Sequence, residues 1–528
     1  MPRLLAVAAL LNVLLLLPLW LRFGAPSMHW IALEALMLPA LLVLLPSARC
    51  FTWVRWPLLA VVLLVVLIGL GDAATQLAFG RSLNLYLDLP LLASVFHLLE
   101  GNQGAPAALL VVAAALLLLA LLIWLLARGL EALQARPRGA MTTAVATLML
   151  AGSGVLLLAD SAGVRPIPVA RTPVVDTLRF QGRQVVETLH AHRDFAERMA
   201  DSPSSVQALA GLAGRDVLLV FVESYGMSAL VDERYAAVLL PRLEAMAMRL
   251  DAAGLSVVSG SLASPIRGGQ SWLAHGTTLS GLWIDNPLWY RLMLAADPAT
   301  LVDDFRATGH RTLSMMPAIT MAWPEGRAYG FDEIHAAADI DYAGPPLNWV
   351  TMPDQFTLHY FQRHIREPSD APLFAQIALI SSHAPWTPIL PVIDDWESVG
   401  DGSIFARWED AGEPPDELWQ DLERVREHYA LSLDYALHAS LRWAEDFVDE
   451  DALMILLGDH QAAPLITGDD AGDGVPVHLI SGDPALLAPF LARGFQPGML
   501  PARDPEPAGM DRLRGWLHED FASETVPQ

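Results

Sequence analysis

Apolar positions come in two regimes along this chain. The first part carries long unbroken runs, Leu4 to Leu21, Ile31 to Leu45, Trp56 to Leu70, Ala107 to Leu126 and Thr142 to Leu158. A helix needs roughly 20 such residues to cross a bilayer, so the pattern predicts an N-terminal helical transmembrane bundle of about five spans over residues 1–160. The second and third runs are short, and a buried hairpin that only dips into the membrane is the alternative for them. Leu4 to Leu21 follows Arg3 like a signal peptide, but it has no clear small-residue cleavage pattern and more spans follow, so it is expected to stay as an anchor. The runs hold almost no ionisable residues at their centres, which disfavours an ion or proton path.

After Ser161 the pattern changes. Residues 161–214 are mixed, with helical spacing over Val174 to Met199, and end in Asp201-Ser-Pro-Ser-Ser205, as a juxtamembrane linker would. From residue 215 to about 500, short runs rich in β-branched residues alternate with helical stretches: Val217 to Val222, Leu255 to Val258, Thr312 to Met315, Phe374 to Ile380, Leu453 to Leu457 and Val477 to Ile480. Continuous apolar strands between helices predict a mostly parallel sheet covered on both faces, an α/β sandwich. Chemistry in such sheets sits beyond the carboxyl ends of the strands. Residues 501–528 read as a tail with a short acidic helix and a disordered end.

The 528 residues are 53% hydrophobic and 17% charged, with mean hydropathy +0.38, which agrees with a membrane protein. Acidic residues number 58 against 33 basic ones, all arginine, for a net charge of -25. A nucleic-acid partner is therefore not expected. The single cysteine, Cys50, excludes an intrachain disulfide framework and a multi-cysteine metal site. With the N-terminus inside, Arg3, Arg49, Arg55, Arg128, Arg136 and Arg138 fall on cytoplasmic segments and only Arg22 and Arg81 outside. The positive-inside rule then puts everything after about Asp160 outside the cytoplasm, periplasmic or extracellular if the source is bacterial.

Polar residues cluster at the strand ends. Val217 to Val222 runs into Glu223-Ser224-Tyr225-Gly226, and Leu453 to Leu457 into Gly458-Asp459-His460. Taken singly, Glu223 reads equally well as a helix cap and Asp459 as the orienter of His460, but both at equivalent strand ends suggest a metal site. Between them, Gly268-Gly269-Gln270-Ser271 leads into an apparent helix. Tight glycine turns would place Ser271 at a helix N-terminus, where an anion is favoured; a plain N-cap is the other reading.

These residues resemble the alkaline phosphatase and sulfatase superfamily, in its membrane-anchored branch of lipoteichoic acid synthases and phosphoglycerol or phosphoethanolamine transferases. The resemblance covers roughly Asp216 to Pro484 and the five-span architecture. It rests on Phe221-Val-Glu-Ser-Tyr-Gly226, Leu457-Gly-Asp-His460 and Ser381-Ser-His-Ala-Pro385, with weaker support from Met352-Pro-Asp-Gln-Phe356. It implies an alkaline phosphatase-like domain in which Glu223, Asp459, His460 and the oxygen of Ser271 hold one divalent metal. Carboxylates with one imidazole suit manganese or zinc better than magnesium. The resemblance further implies that His383 contacts the substrate phosphate, with loop stabilisation as its other reading, and that Trp323 and Arg327 line a headgroup pocket, although the spacing around Trp323 is shorter than in the family.

This chain also departs from the family. Serine stands where those relatives use threonine; Thr277 and Thr278 lie deeper in the predicted helix. The outer part lacks the cysteines of lipid A phosphoethanolamine transferases, which narrows the kinship to the lipoteichoic acid synthase and glucan phosphoglycerol transferase side. Leu273 and His275 occupy the positions where a formylglycine sulfatase needs proline and arginine. His478, on an apolar strand, reads first as a satisfied core residue and second as an extra ligand. Trp396, Trp408 and Trp419 in the acidic stretch Asp394 to Glu427 either pack a local core or stack on sugars.

The sequence thus predicts a membrane-bound transferase moving a phospho-headgroup from a phospholipid to an envelope glycan or lipid through a phospho-serine. A phosphodiesterase or phosphatase of the same superfamily and an inactive membrane scaffold are the alternatives.

Overall fold

The computed structural model describes residues 1–23, 29–79, 81–89, 95–96, 99–100, 104–134, 139–162, 167, 169–201, 205–321, 323–504 and 506–522. Arg136, Arg138 and residues 202–204 of the predicted linker end lie outside the described residues. The chain divides into two compact units, Met1–His190 and Ala191–Gln528.

The first unit is built on helices α1 (Pro2–Phe23), α2 (Leu33–Leu44), α3 (Ala48–Phe79), α4 (Ala105–Glu131) and α5 (Ala140–Ser161), and it contains the start of α6 (Pro173–Asp201). α1, α3, α4 and α5 are long and apolar enough to cross a membrane. The second run, short in the sequence, is short as a helix too: α2 has 12 residues, about 18 Å against a hydrocarbon core of about 30 Å. Its first turn contains Glu34, whose Oε1 accepts from the Val174 and Val175 amides, both at 3.1 Å. That carboxylate caps the N-terminus of α6, where free N–H groups and the helix dipole favour a negative charge.

End-to-end contacts give the order of passages. The Met1 ammonium donates to Thr142 Oγ1 at 3.0 Å, so α1 and α5 begin at one end. Arg22 bonds Asp72 at 2.7 Å, so α1 and α3 finish at the other. Arg55 and Glu131 lie 3.8 Å apart, which brings the close of α4 to the start of α3. α2 and α4 therefore return the chain, and α5 leaves at the end opposite Met1. Two-residue strands β1 (Ile31–Ala32) and β2 (Ala170–Arg171) pair in parallel.

The second unit is organised by an eight-stranded sheet: β3 (Asp216–Val222), β4 (Ser256–Ala263), β5 (Arg311–Met316), β6 (Glu333–Ala336), β7 (Leu373–Leu379), β8 (Ala452–Gly458), β9 (Gly474–Ser481) and β10 (Gln496–Pro497). Its order is β10-β4-β9-β8-β3-β7-β5-β6. The five strands from β8 to β6 are parallel, whereas β9 runs antiparallel to both β8 and β4, and β10 antiparallel to β4. All six sequence-predicted strands are present. β6 and β10 were not expected, because β6 is half-buried throughout and β10 is a two-residue exposed edge containing Pro497, so neither carries a buried run.

Helices cover both faces. Leu218, Val220 and Val222 of β3 pack into one core with Leu239 and Leu243 of α7 (Glu233–Ala252) and Leu433 and Leu437 of α9 (Leu422–Phe447). Phe221, pointing the other way, meets His275 of α8 (Ser271–Ser280) with ring centroids 4.2 Å apart. Burial on both sides is why the strands read as unbroken apolar runs. Trp396 is buried with its indole N–H on Asp446 at 2.9 Å, while Trp419 stacks on Trp386 and stays 42% exposed. The predicted tail is more ordered than expected: α10 (Arg512–Phe521) sinks Arg514 onto Asp304 at 2.7 Å.

Candidate active site and metal centre

Three adjacent parallel strands end together. Val222 of β3 pairs in register with Gly458 of β8 on one side and Leu379 of β7 on the other. The residues that follow, Glu223, Asp459-His460 and Ser381-Ser382-His383, are thus delivered to one edge of the sheet. Close backbone approach makes this possible: a Cβ on Gly458 would collide with the Tyr225 carbonyl. Ser224 takes a left-handed φ of 58°, a strained conformation that turns the chain sharply after Glu223.

Ser271 arrives from outside the sheet. Gly268 and Gly269 have positive φ, as the sequence led us to expect, and Gln270, also left-handed at φ 67°, precedes the first residue of α8. The entering loop is pinned to the site: Ser264 Oγ donates to the Asp459 carbonyl at 2.6 Å and the Gly268 amide to the Gln461 carbonyl at 2.9 Å. Ser271 Oγ then lies 3.0 Å from Glu223 Oε2 and 3.2 Å from His460 Nε2. Thr277 and Thr278 are fully buried deeper in α8; Thr277 Oγ1 engages Ile284, and Thr278 Oγ1 donates to the Ala274 carbonyl.

Glu223, Asp459 and His460 are buried and offer ligand atoms that all lie within 4.8 Å of one another. His460 Nδ1 donates to the Gln461 carbonyl at 2.8 Å, which turns Nε2 toward Glu223 Oε1, 3.4 Å away. Asp459 Oδ1 is occupied by the amides of Ser224 at 2.8 Å and His460 at 2.7 Å, which leaves Oδ2 to the cluster. Burial, and then the charge of Glu223, push the Asp459 carboxyl well above its usual range. Burial acts on Glu223 in the same direction but is outweighed by His460 and His383, which bring it down to about 2. Two buried carboxylates, an imidazole lone pair and a serine oxygen converging on one point form a donor set that a divalent cation neutralises, and these residues fit such an ion.

His383 sits at the rim. Its Nδ1 donates to the Ala384 carbonyl at 2.6 Å and its ring stacks on Trp349 at 3.8 Å. Its loop is tied down by residues the sequence reading missed. Ser382 Oγ donates to the Glu223 carbonyl at 2.6 Å. Asp354 Oδ1 accepts from the Ile380 and Ser381 amides at 2.7 and 2.9 Å. Asp354 falls in the Met352 to Phe356 segment quoted above, the one signal that could have found it.

Trp323 reaches a small cavity beside α8, whereas Arg327 is exposed on the turn Pro324–Tyr329. His478 is a satisfied core residue: Nε2 pairs with Tyr225 Oη at 3.0 Å and Nδ1 with Ser259 Oγ at 2.7 Å.

No protein-family profile and no curated protein matches the chain. Among solved structures it is similar to the lipooligosaccharide phosphoethanolamine transferase A of Neisseria meningitidis, at 13% identity over 92% of this chain and 86% of that one, with TM-score 0.46. It is also similar to the lipoteichoic acid synthase LtaP of Listeria monocytogenes, at 11% identity over 63% and 79% with TM-score 0.38. The phosphoglycerol transferase GacH of Streptococcus pyogenes matches at 14% over 64% and 81%, again with TM-score 0.38. These likenesses concern the fold, and the chemistry of the site rests on its own geometry.

Proposed function

We propose that this chain is a membrane-anchored, metal-dependent phosphotransferase that moves a phospho-headgroup from a membrane phospholipid to a cell-envelope glycan or lipid through a phosphoserine at residue 271. The observation that carries this is Ser271 Oγ at the N-terminus of α8, within 3.2 Å of both Glu223 and His460. Glu223, Asp459, His460 and Ser271 would hold manganese or zinc, which when bound lowers the pKa of the serine hydroxyl and offsets charge developing at phosphorus.

Glu223 Oε2 accepts the Ser271 hydroxyl hydrogen and orients Oγ for in-line attack. The Oγ–P bond forms as the bond from phosphorus to the diacylglycerol oxygen breaks, and His383 Nε2 is placed to protonate the departing alkoxide. An acceptor hydroxyl then attacks the phosphoserine and gives its proton to His383 as the P–Oγ bond breaks, and the leaving Ser271 Oγ recovers its hydrogen from Glu223. The amides at the start of α8 favour the phosphoryl charge throughout. A membrane anchor on the same chain raises the effective concentration of lipid headgroups for the reaction. With the N-terminus cytoplasmic, the excess of arginines on the cytoplasmic segments favours a catalytic unit outside the cytoplasm.

Purified protein supplied with manganese and fluorescent phosphatidylglycerol or phosphatidylethanolamine is expected to release labelled diacylglycerol, and Ser271→Ala to abolish that release. Folded, metal-loaded protein that releases none from either lipid would sink the proposal.

A further inference from the structure

The chain leaves the helical unit along α6, whose residues 173–190 still belong to that unit. Their contacts fix the direction of the helix. Thr172 Oγ1, just before it, donates to Asp160 Oδ2 near the end of α5 at 3.3 Å. The Val174 and Val175 amides reach Glu34 in the first turn of α2. Further along, Gln181 Nε2 donates to the Leu83 carbonyl and Asn84 Nδ2 to Gln184 Oε1, both at 2.9 Å, in the segment that follows α3. From Val174 to Gln184 these partners are spread over about 15 Å of helix, and all lie at the end of the bundle opposite Met1. The start of α6 therefore runs across that end, at the level where the spans meet lipid headgroups, instead of standing away from it.

Beside the face that makes these contacts, α6 carries an apolar stripe turned to open space. Leu178, Val185 and Val186 are 46%, 56% and 52% exposed, and a Cβ on Gly182 would meet nothing within 4 Å. At about 3.6 residues per turn, positions 178, 182, 185 and 186 share one side of the helix. Arg179 and Arg183, both exposed, follow one edge of that stripe, while Asp176 and Glu187 fall on the far side. An apolar stripe bordered by arginines suits the boundary between acyl chains and phosphates, because a guanidinium reaches up to phosphate while its stem stays on the apolar surface. A second feature marks the same level. Trp30, 54% exposed, donates its amide to the Val169 carbonyl at 2.9 Å beside the strand pair that precedes α6, and tryptophan gathers at membrane interfaces.

We propose that residues 173–190 form an interfacial helix bound to the bilayer surface, with Leu178, Val185 and Val186 sunk at the headgroup boundary and Arg179 and Arg183 on the phosphates of anionic lipids. A protein partner suits the stripe less well, since three half-exposed aliphatic side chains fall far short of the roughly 800 Å² per partner that a stable protein interface buries. The chain as a whole carries a net charge of -25 and is repelled by an anionic surface, so the two arginines supply the local attraction that brings this face down. The inference goes beyond the phosphotransferase reading and stands apart from its chemistry.

The test uses full-length protein with Cys50→Ser, bearing Leu178→Cys, Val185→Cys or Glu187→Cys labelled with a small fluorophore. Each is placed in nanodiscs of phosphatidylcholine and phosphatidylglycerol that contain a lipid with a nitroxide quencher near the carbonyl end of its chain. The apolar face of an interfacial helix sinks about 5–10 Å into this boundary, so emission at 178 and 185 is expected to fall by at least about half and at 187 by far less. Quenching at 185 should grow with the phosphatidylglycerol fraction, and Arg179→Gln with Arg183→Gln should remove that dependence. Quenching no greater at 178 and 185 than at 187 would overturn the proposal. A label at 185 that is shielded from water equally in nanodiscs and in detergent, and unquenched, would overturn it in favour of packing on protein. Quenching that ignores both the lipid charge and the arginine pair would overturn the anionic preference. Diacylglycerol release is scored separately: its absence would cost the transfer reaction and leave the interfacial helix standing, and unquenched labels in protein that releases diacylglycerol would do the reverse.

Discussion

Buried charge is handled in opposite ways in two regions of the molecule. At the foot of α10, Asp304 is surrounded by opposite charge and donors: Arg514 Nε at 2.7 Å, His518 Nε2 at 2.8 Å and the Gln207 amide at 2.9 Å. Burial raises its pKa, but those partners outweigh it and hold the carboxyl below its usual range. At the ends of β3 and β8, by contrast, two carboxylates are buried against each other with one imidazole. The first arrangement is complete within the chain and serves the fold. The second leaves two buried carboxylates facing each other, an arrangement that the cation of the proposed reaction would neutralise.

The largest effects should come from breaking the second arrangement. Glu223→Gln or Asp459→Asn removes a ligand and a charge, and headgroup release is expected to fall by at least about a thousandfold, comparable to losing a main electrostatic stabiliser of a transition state. Stability should move the other way in chelator-treated protein, where relief of carboxylate repulsion keeps the melting temperature equal or raises it. A marked drop in melting temperature for either variant would place these residues with Asp304 as structural. Chelation of the wild type should abolish release reversibly, with recovery on adding manganese or zinc.

Breaking the first arrangement is a stability experiment. Asp304→Ala strands the fully buried Arg514 and is expected to destabilise the catalytic unit by about 3–5 kcal/mol, read by denaturant unfolding. Any folded fraction should keep its metal affinity, since no ligand is touched. Ser382→Ala lies between the two cases. It leaves the Glu223 carbonyl without its 2.6 Å donor, a loss of about 1–3 kcal/mol, and it loosens both Glu223 and the His383 loop, so activity should fall further than the melting temperature suggests.

Sequence reading recovered whatever local pattern encodes. Glu223, Asp459 and His460 were visible because apolar strands run straight into them, and Ser271 because two glycines announce the turn before α8. The support of the site was not. Ser382 reaches Glu223, and Asp354 reaches the end of β7, across long stretches of chain that only the parallel pairing of β7, β3 and β8 brings together. Tyr290, Tyr329 and His275 come to line one small cavity only through tertiary packing. The second apolar run is short in the sequence and short as a helix, but nothing local in it announced that its one carboxylate, Glu34, caps α6.

The smallest expected effect separates a buried histidine that serves the fold from one that serves the site. His478 is buried between Tyr225 and Ser259, and burial lowers its pKa from 6.5 to about 3. Between those values the unfolded chain binds more protons than the folded one, so the associated stability is complete above pH 6.5 and is lost as pH falls toward 3. His478→Gln removes that titration along with some packing. Its melting temperature should lie below wild type at pH 7.5, and the gap should narrow steadily to pH 4.5. Headgroup release by the folded protein at pH 7.5 should be untouched. Parallel melting curves across that range would mean that His478 does not stay neutral in the folded protein, and the contrast between a sealed core imidazole and His460 at the proposed metal site would have to be redrawn.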